Sequence, residues 1–250
     1  MPLTALPQTL SLTDRSGSRS GSARMSRSEY CWHMREQLAN GTPIDIVRVE
    51  GAQRGLIVAP DIFGLRPLFS DLVTRFAHEW GMTTVAVEPF PTEELSPDIE
   101  PRFEAVARLH DDRVIGDLID AAAATGCKDV SLIGFCLGGM HCFKAADAGR
   151  FDRIASFYGM IHLPPAWSGP GQGEPLPHVI ASPGPVLAVI GELDPYTPPD
   201  AVADLEASGA QVVRYADAEH GFAHDSSRPS HRAADAADAF ARAQAWLSGR

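Results

Sequence analysis

The chain has 250 residues, of which 44% are hydrophobic and 21% charged, a composition that suits one globular domain of ordinary size. Its formal net charge of −11 argues against a general binder of phosphate backbones, so no nucleic-acid partner is expected. No apolar run has the length of a membrane span, and no secretory signal is recognisable. A cytoplasmic location without a membrane partner is therefore predicted. The cysteines are expected to be free thiols: Cys31, Cys127, Cys136 and Cys142.

The first 29 residues differ in composition from the rest. The stretch "RSGSRSGSARMSRS" consists almost entirely of Ser, Gly and Arg, with little apolar surface to bury. Residues 1–29 are therefore predicted to be a disordered tail, and residues 30–250 a single domain. Two alternatives remain open: a true start at Met25, or an organelle presequence, although no clear amphipathic helix supports the latter.

Hydrophobic periodicity predicts the elements of the domain in chain order. The first half contains strand 44–50, strand 55–60, helix 67–81, strand 82–90, helix 103–124, strand 130–135 and helix 137–149. The second half contains strand 154–159, a Pro- and Gly-rich loop over 161–184, strand 186–191, helix 199–208, strand 210–216 and helix 230–247. Continuous apolar strands that alternate with helices indicate an α/β fold with a mostly parallel sheet covered on both faces.

The segment Gly134-Phe-Cys136-Leu-Gly138 lies between a predicted buried strand and a predicted helix. This is the context of a nucleophile elbow, in which glycines flank a nucleophile held on a sharp turn. The N-terminus of the following helix would favour a thiolate and could hold an oxyanion. A buried structural thiol is the competing interpretation. The segment predicts Cys136 as a catalytic nucleophile.

Two further residues have the types and the chain order that an elbow nucleophile requires, an acid followed by a histidine. Asp194 follows strand 186–191, and His220 follows strand 210–216. In open α/β sheets, catalytic groups lie at the carboxyl ends of strands. Glu192 is a rival acid, although it sits closer to its strand. Taken singly, these residues could be an ordinary turn acid and a loop histidine, but their joint placement predicts a catalytic triad.

The motifs "APDIFG", "GFCLGG", "GELD" and "EHGF" occur in an order that resembles the dienelactone hydrolase family of α/β-hydrolases, over roughly residues 40 to 248. The resemblance implies an α/β-hydrolase fold and a triad of Cys136, Asp194 and His220. It also implies that Asp61 tunes the thiol, at a position where better-known members have Glu. The backbone N–H groups of Ile62 and Leu137 would form the oxyanion hole.

The chain departs from this family at the substrate carboxylate. Well-studied members hold that carboxylate with two arginines, whose positions here are Thr92 and His224. These residues are candidates for the substrate pocket. Arg66 is a candidate replacement charge, with a solvated surface arginine as the alternative. Dienelactone itself is therefore not the expected substrate.

No metal or other cofactor is expected. His220 and His224 have a spacing used by metal ligands on helices, but Gly221 and the preceding strand place them in a loop. No cysteine or carboxylate pair completes a metal site around them.

The sequence therefore predicts a monomeric or homodimeric hydrolase of a small-molecule ester or lactone. Cys136 would attack the carbonyl and form a thioacyl enzyme, which a water activated by His220 would hydrolyse. Substrates with good leaving groups, such as enol or aryl esters, would suit a thiolate. The alternatives are a non-catalytic binding protein on the same fold and a redox-responsive protein. Cys142, six residues beyond Cys136, is not placed like a resolving cysteine.

Overall fold

A computed structural model describes residues 33–182 and 184–249 of the chain, so the predictions for residues 1–29 lie outside the described residues. Within these residues, eight strands form one sheet: β1 His33–Gln37, β2 Pro43–Val47, β3 Arg54–Ala59, β4 Thr83–Val87, β5 Asp129–Phe135, β6 Ile154–Phe157, β7 Val186–Gly191 and β8 Gln211–Tyr215. The same part of the chain contains seven α-helices: α1 Pro67–Trp80, α2 Ile99–Val106, α3 Asp111–Ala124, α4 Leu137–Lys144, α5 Leu176–Ala181, α6 Pro199–Ala207 and α7 Ala233–Leu247.

The strand order is β1-β2-β4-β3-β5-β6-β7-β8; β2 runs antiparallel to both of its neighbours, β1 and β4, and every other neighbouring pair is parallel. The order reverses around β3, so that β3 lies between β4 and β5. Ala59 pairs with Gly134 at the ends of β3 and β5, and Phe135 pairs with Phe157 one strand further. This register brings the carboxyl ends of the central strands together, where ligands bind in open α/β sheets.

Two apolar layers cover the sheet. On one face, α1 and α7 pack Phe69, Phe76 and Ala239 against the strands. On the other face, α3, α4, α5 and α6 contribute residues such as Leu118 and Leu205. The predicted α/β fold with a mostly parallel sheet covered on both faces is confirmed. Within the described residues, the helices are all too short or too polar to cross a membrane.

Several predicted boundaries were wrong. The single helix over 103–124 is two helices, because the chain turns after Val106 and the N–H of Asp111 donates to the Gly171 carbonyl at 2.9 Å. That tertiary contact fixes a new helix start inside a region of continuous helical periodicity. The predicted loop over 161–184 contains α5 and a short 3₁₀ turn, Pro165–Trp167.

Other differences lie at the ends of elements and at the edge of the sheet. Helix α4 ends at Lys144 rather than at residue 149, since the N–H of Ala146 closes a tighter turn onto Phe143. Helix α7 starts at Ala233 instead of residue 230. Strand β1 was not predicted, because its mostly exposed, polar residues carry no apolar pattern and its place in the sheet comes from antiparallel pairing with β2.

Candidate active site

Cys136 occupies the turn between β5 and α4, as the predicted elbow requires. Its φ of 56° and ψ of −115° lie in a region that residues other than glycine rarely adopt. The turn is held from both sides: the Cys136 N–H donates to Phe157 O, and the Met140 N–H donates to Cys136 O, both at 3.0 Å. Strain of this kind persists only where the surrounding structure over-determines it, and it is typical of functional sites.

The glycines on either side of Cys136 are required by close backbone packing. A Cβ on Gly134 would lie 2.2 Å from the carbonyl oxygen of Gly138. A Cβ on Gly138 would lie 2.0 Å from the carbonyl oxygen of Ala59 and 2.4 Å from that of Pro60. Helix α4 can therefore approach the ends of β3 and β5 only without side chains at these positions.

Replacing Gly138 with alanine is expected to lower the free energy of unfolding by about 3 kcal/mol or more, because the new methyl group meets a backbone oxygen that cannot move away. Gly116 in α3 is the matched control. A Cβ there meets nothing within 4 Å, so Gly116→Ala should raise stability by about 0.5–1 kcal/mol. Urea unfolding measures both changes. A Gly138→Ala protein as stable as the wild type would contradict the packing argument.

His220 and Asp194 lie together as predicted. The Nδ1 of His220 is 2.8 Å from Oδ2 of Asp194, and Asp194 is 3% exposed. The other oxygen of Asp194 accepts the Tyr196 N–H at 2.8 Å, which fixes the carboxylate in the turn. Glu192, the rival acid, is exposed to solvent. The structure therefore brings Asp194, rather than Glu192, onto the histidine.

His220 and Cys136 line the same cavity, which places the imidazole on the side of the site that holds the thiol. Burial acts to lower the pKa of His220, but the negative charge of Cys136 and the bonds to Asp194 and Cys136 outweigh it and raise that pKa. The rings of Tyr158 and Tyr196 meet the imidazole edge-to-face, with centroids at 5.2 and 4.9 Å. These contacts fix the ring plane of the imidazole.

The backbone N–H groups of Ile62 and Leu137 are available for an oxyanion. Both residues are buried, and within the described residues neither N–H donates to a protein acceptor. Arg102 donates to the carbonyl oxygen of Ile62 at 3.0 Å and holds that segment in place. Unpaired buried N–H groups are rare in proteins, and a pair beside a nucleophile suits a developing negative charge.

Asp61 lines the same cavity as Cys136, but its oxygens are already engaged. Arg66 donates to both of them, at 2.6 and 2.8 Å, and the Phe63 N–H donates at 2.9 Å. His224 Nε2 lies 2.9 Å from the same carboxylate. Burial acts to raise the pKa of Asp61, yet the hydrogen bonds from His224 and Arg66 outweigh it and hold that pKa well below its ordinary value.

A buried tyrosine extends this network. The Tyr158 hydroxyl, fully buried, lies in hydrogen-bond contact with Nδ1 of His224. Burial lowers the pKa of His224, so the ring is neutral, with Nε2–H donating to Asp61 and Nδ1 accepting from Tyr158. Tyr158 has a positive φ of 41° just after β6, which turns its side chain into the site. Sequence reasoning missed this residue, and its position at a strand end was the signal that could have found it.

The cavity next to Cys136 has a volume of about 200 Å³ and mostly apolar walls. Besides the residues described above, namely Asp61, Ile62, Cys136, Tyr196 and His220, the lining consists of Phe63, Ile99, Phe103, Met160, Trp167 and Arg228. Sequence reasoning missed Arg228, eight residues after His220, because no periodicity marks a turn residue. Gly221 explains its position: a Cβ there would lie 2.2 Å from the Arg228 guanidinium.

The three residues predicted for the substrate pocket do not line this cavity. Arg66 is half-buried and bound to Asp61. His224 is buried between Asp61 and Tyr158. Thr92 lines a different cavity beyond the end of β4.

The other cysteines and the candidate metal ligands can be placed as well. Cys127, Cys136 and Cys142 are free thiols, as predicted, while Cys31 lies outside the described residues. Cys142 is fully buried, and burial raises the pKa of its thiol. Within residues 33–182 and 184–249, the His, Cys, Asp and Glu side chains form no group of three that could hold a metal ion.

Known proteins share this sequence pattern and fold. The family model of the dienelactone hydrolase family matches residues 46–249. A Synechocystis sp. protein provisionally assigned as a carboxymethylenebutenolidase is 29% identical, over 74% of this chain and 81% of that protein. The carboxymethylenebutenolidase of Pseudomonas putida is 27% identical, over 69% of this chain and 76% of that enzyme. The crystal structure of a Klebsiella pneumoniae protein, provisionally assigned as a dienelactone hydrolase, superposes on this chain with a TM-score of 0.76 and 25% sequence identity. The superposition covers 89% of this chain and 100% of that protein.

A mostly parallel sheet with a sharp strand-to-helix turn after β5 is the architecture of an α/β-hydrolase. Within that class, the chain belongs to the dienelactone hydrolase family. The predicted family and the predicted class of enzyme, a hydrolase of esters or lactones, are confirmed.

Proposed function

We propose that the enzyme hydrolyses its ester or lactone through Cys136 as the nucleophile and a thioacyl-enzyme intermediate. The observation that carries the proposal is that His220 and Cys136 line the same cavity, while buried Asp194 bonds Nδ1 of the imidazole at 2.8 Å. A nucleophile, a base and an orienting acid in hydrogen-bond contact are the arrangement used in covalent hydrolysis.

The reaction proceeds in two steps. His220 takes the proton of the Cys136 thiol, and the sulfur attacks the carbonyl carbon. The oxyanion that forms accepts hydrogen bonds from the backbone N–H groups of Leu137 and Ile62. The alcohol leaves with the proton from His220, and a thioester remains on Cys136. Water then attacks the thioester while His220 takes its proton, and the acid is released with the thiol restored. In this scheme Asp61 acts on the thiol only through its charge, which Arg66 partly neutralises.

Cys136→Ala tests the proposal, since loss of hydrolysis is expected if the sulfur is the nucleophile. The non-catalytic alternative predicts no hydrolysis by either protein. A redox response through an intramolecular disulfide requires a second accessible thiol near Cys136, and Cys142 is fully buried between α4 and the sheet. A cavity that holds Cys136 together with a histidine bonded to a buried acid favours hydrolysis over both.

For the substrate, we propose a small ester or lactone that bears a carboxylate. Arg228 lines the cavity, and within the described residues its guanidinium pairs with no carboxylate. Two other cations nearby are engaged: Arg66 is bound to Asp61, and Arg102 donates to the backbone carbonyl of Ile62. The relatives described above are named for a butenolide that carries a carboxymethylene group, an anionic lactone. Arg228 supplies a cation for such a group even though Thr92 and His224 replace the family's arginines.

Arg228→Gln is expected to lower kcat/KM about 10- to 100-fold for an anionic substrate, para-nitrophenyl hemisuccinate, because a charge-assisted hydrogen bond is lost. Hydrolysis of the neutral para-nitrophenyl propanoate should be unchanged. Arg232→Gln is the charge-matched control, since Arg232 bonds Asp235 and does not line the cavity. An equal loss with both substrates would contradict a role in binding the carboxylate.

A further inference from the structure

An open groove continues outward from the catalytic cavity. Three residues line both the cavity and the groove: Tyr196, His220 and Arg228. The rest of the groove lining consists of Leu193, Pro195, Glu219, Pro229 and Ser230. The catalytic cavity, at about 200 Å³, is smaller than the range of about 300–1,000 Å³ that is usual for small-molecule sites, so a substrate of ordinary size needs further room.

The position of His220 decides which half of the substrate enters the groove. In the proposed reaction the carbonyl carbon lies at the Cys136 sulfur, and the leaving oxygen takes its proton from His220. Cys136 and Ile62 line the catalytic cavity but not the groove, whereas His220 lines both. The acyl half therefore stays in the catalytic cavity, and the alcohol half passes His220 and lies in the groove.

The groove presents apolar side chains to solvent. Four large hydrophobic side chains are exposed within the described residues, and two of them, Leu193 and Tyr196, lie on this groove with 58% and 43% of their surface accessible. Pro195 and Pro229 are exposed beside them and add further apolar surface. An apolar group that covers these side chains removes their surface from water, which favours its binding.

The charged groups of the groove do not select an ion. Glu219 and Arg228 carry opposite charges, and the imidazole of His220 already bonds Asp194 at 2.8 Å. Glu219 is exposed and keeps its hydration, so it does not require a cation from the substrate. Arg228 also faces the catalytic cavity, where the carboxylate of the acyl half is proposed to bind. An uncharged alcohol half therefore suits the groove best.

Hydrogen bonds fix the walls of the groove before a substrate arrives. The Leu193 N–H donates to the Ala218 carbonyl oxygen at 3.0 Å, and the Ser230 hydroxyl donates to the His220 carbonyl oxygen at 3.1 Å. These bonds join the segments after β7 and β8 that form the groove. A preformed surface of this kind loses little conformational freedom when a ligand covers it.

We infer that the groove binds the alcohol half of the substrate, and that this half carries an uncharged apolar arm, such as an alkyl chain or an alkylated ring. The inference rests on the proposed function, because His220 defines the leaving side only if Cys136 is the nucleophile. It narrows the substrate class to an ester with a small acyl half and a longer apolar alcohol half, or to a lactone whose alkoxy carbon bears such an arm.

The test compares phenyl acetate with 4-butylphenyl acetate, whose leaving groups have similar acidity. The wild type is expected to show about tenfold higher kcat/KM for the butyl compound, because the arm covers apolar surface of the groove. In Leu193→Ser this preference should fall about threefold, since part of that surface is lost. Ile180→Ser is the matched control and should keep the tenfold preference, because Ile180 is an exposed side chain of α5 that lines neither the cavity nor the groove.

The orientation of the substrate is tested with an arm on the other half. The ratio of kcat/KM for para-nitrophenyl hexanoate and para-nitrophenyl acetate should be the same in the wild type and in Leu193→Ser, because the acyl half does not reach the groove. A change in this ratio in Leu193→Ser, with the preference for 4-butylphenyl acetate kept in full, would reverse the orientation and overturn the inference.

Two further outcomes also overturn the inference: a wild type without any preference for the butyl arm, or one that prefers the cationic 4-(2-aminoethyl)phenyl acetate to it. Both leave the proposed function standing as long as hydrolysis is lost in Cys136→Ala. Hydrolysis of these esters that persists at the wild-type rate in Cys136→Ala would overturn the proposed function and the inference together.

Discussion

The Cys136→Ala enzyme is expected to lose at least about a thousandfold in kcat/KM for an activated aryl ester such as para-nitrophenyl acetate. Cys136 stands at the strained elbow, in the same cavity as His220, and the N–H groups of Ile62 and Leu137 have no protein acceptor within the described residues. Removing its sulfur leaves an oxyanion hole and a base without a nucleophile. Residual activity would come from water activated by His220, which lacks the preorganised attack of the thiolate.

Cys127→Ala is the control for this variant, because Cys127 is a half-buried thiol that touches the Ala52 carbonyl and lies outside the cavity. It should retain full activity. Circular dichroism and urea unfolding should show that the Cys136→Ala protein is folded. A pure, folded Cys136→Ala protein with wild-type kcat/KM would contradict the assignment of the nucleophile.

Asp194→Asn is expected to lower kcat by about 10³- to 10⁴-fold while the fold is kept. Asp194 holds Nδ1 of His220 at 2.8 Å, which sets the tautomer and supports a positive charge on the ring. An amide can present its NH₂ group to Nδ1 and so stabilise the wrong tautomer. Glu192→Gln, which removes the exposed rival acid, should leave kcat unchanged.

The same substitution has an expected pH signature. Asp194 contributes to the raised pKa of His220, so removing its charge should lower that pKa. A thiolate–imidazolium pair loses activity as the imidazolium deprotonates, and this alkaline limb should therefore move to lower pH in Asp194→Asn. An alkaline limb at an unchanged pH, or a larger loss in Glu192→Gln than in Asp194→Asn, would contradict the role given to Asp194.

The elements that could be predicted are those whose signal is local. Central strands such as β5 and β7 are continuous apolar runs, and the glycines around Cys136 mark an elbow because backbone atoms pack against them. Asp194 and His220 could be placed because parallel strands bring their carboxyl ends to one edge of the sheet. The triad therefore follows from strand ends, chain order and residue type.

What could not be predicted depends on contacts between distant segments. The break between α2 and α3 is fixed by a hydrogen bond from the Asp111 N–H to the Gly171 carbonyl oxygen. Hydrophobic periodicity does not reveal such a bond between distant residues. The Arg228 guanidinium lies against Gly221 and lines the cavity. The number of residues between His220 and Arg228 matches no helix or strand period, so the sequence pattern does not mark Arg228. The bond of His224 to Asp61 likewise joins segments that are far apart in the chain.

The central claim is that the acyl group passes through Cys136, and trapping that intermediate tests it most directly. The enzyme would be mixed with para-nitrophenyl hemisuccinate, quenched in acid within the first turnovers and digested, and the acylated peptide would be identified by mass spectrometry. We predict one acyl group on Cys136, released by neutral hydroxylamine as a thioester is, and its absence from the Cys136→Ala protein. An acyl group on another residue during turnover would contradict the account, as would turnover by the Cys136→Ala protein at the wild-type rate.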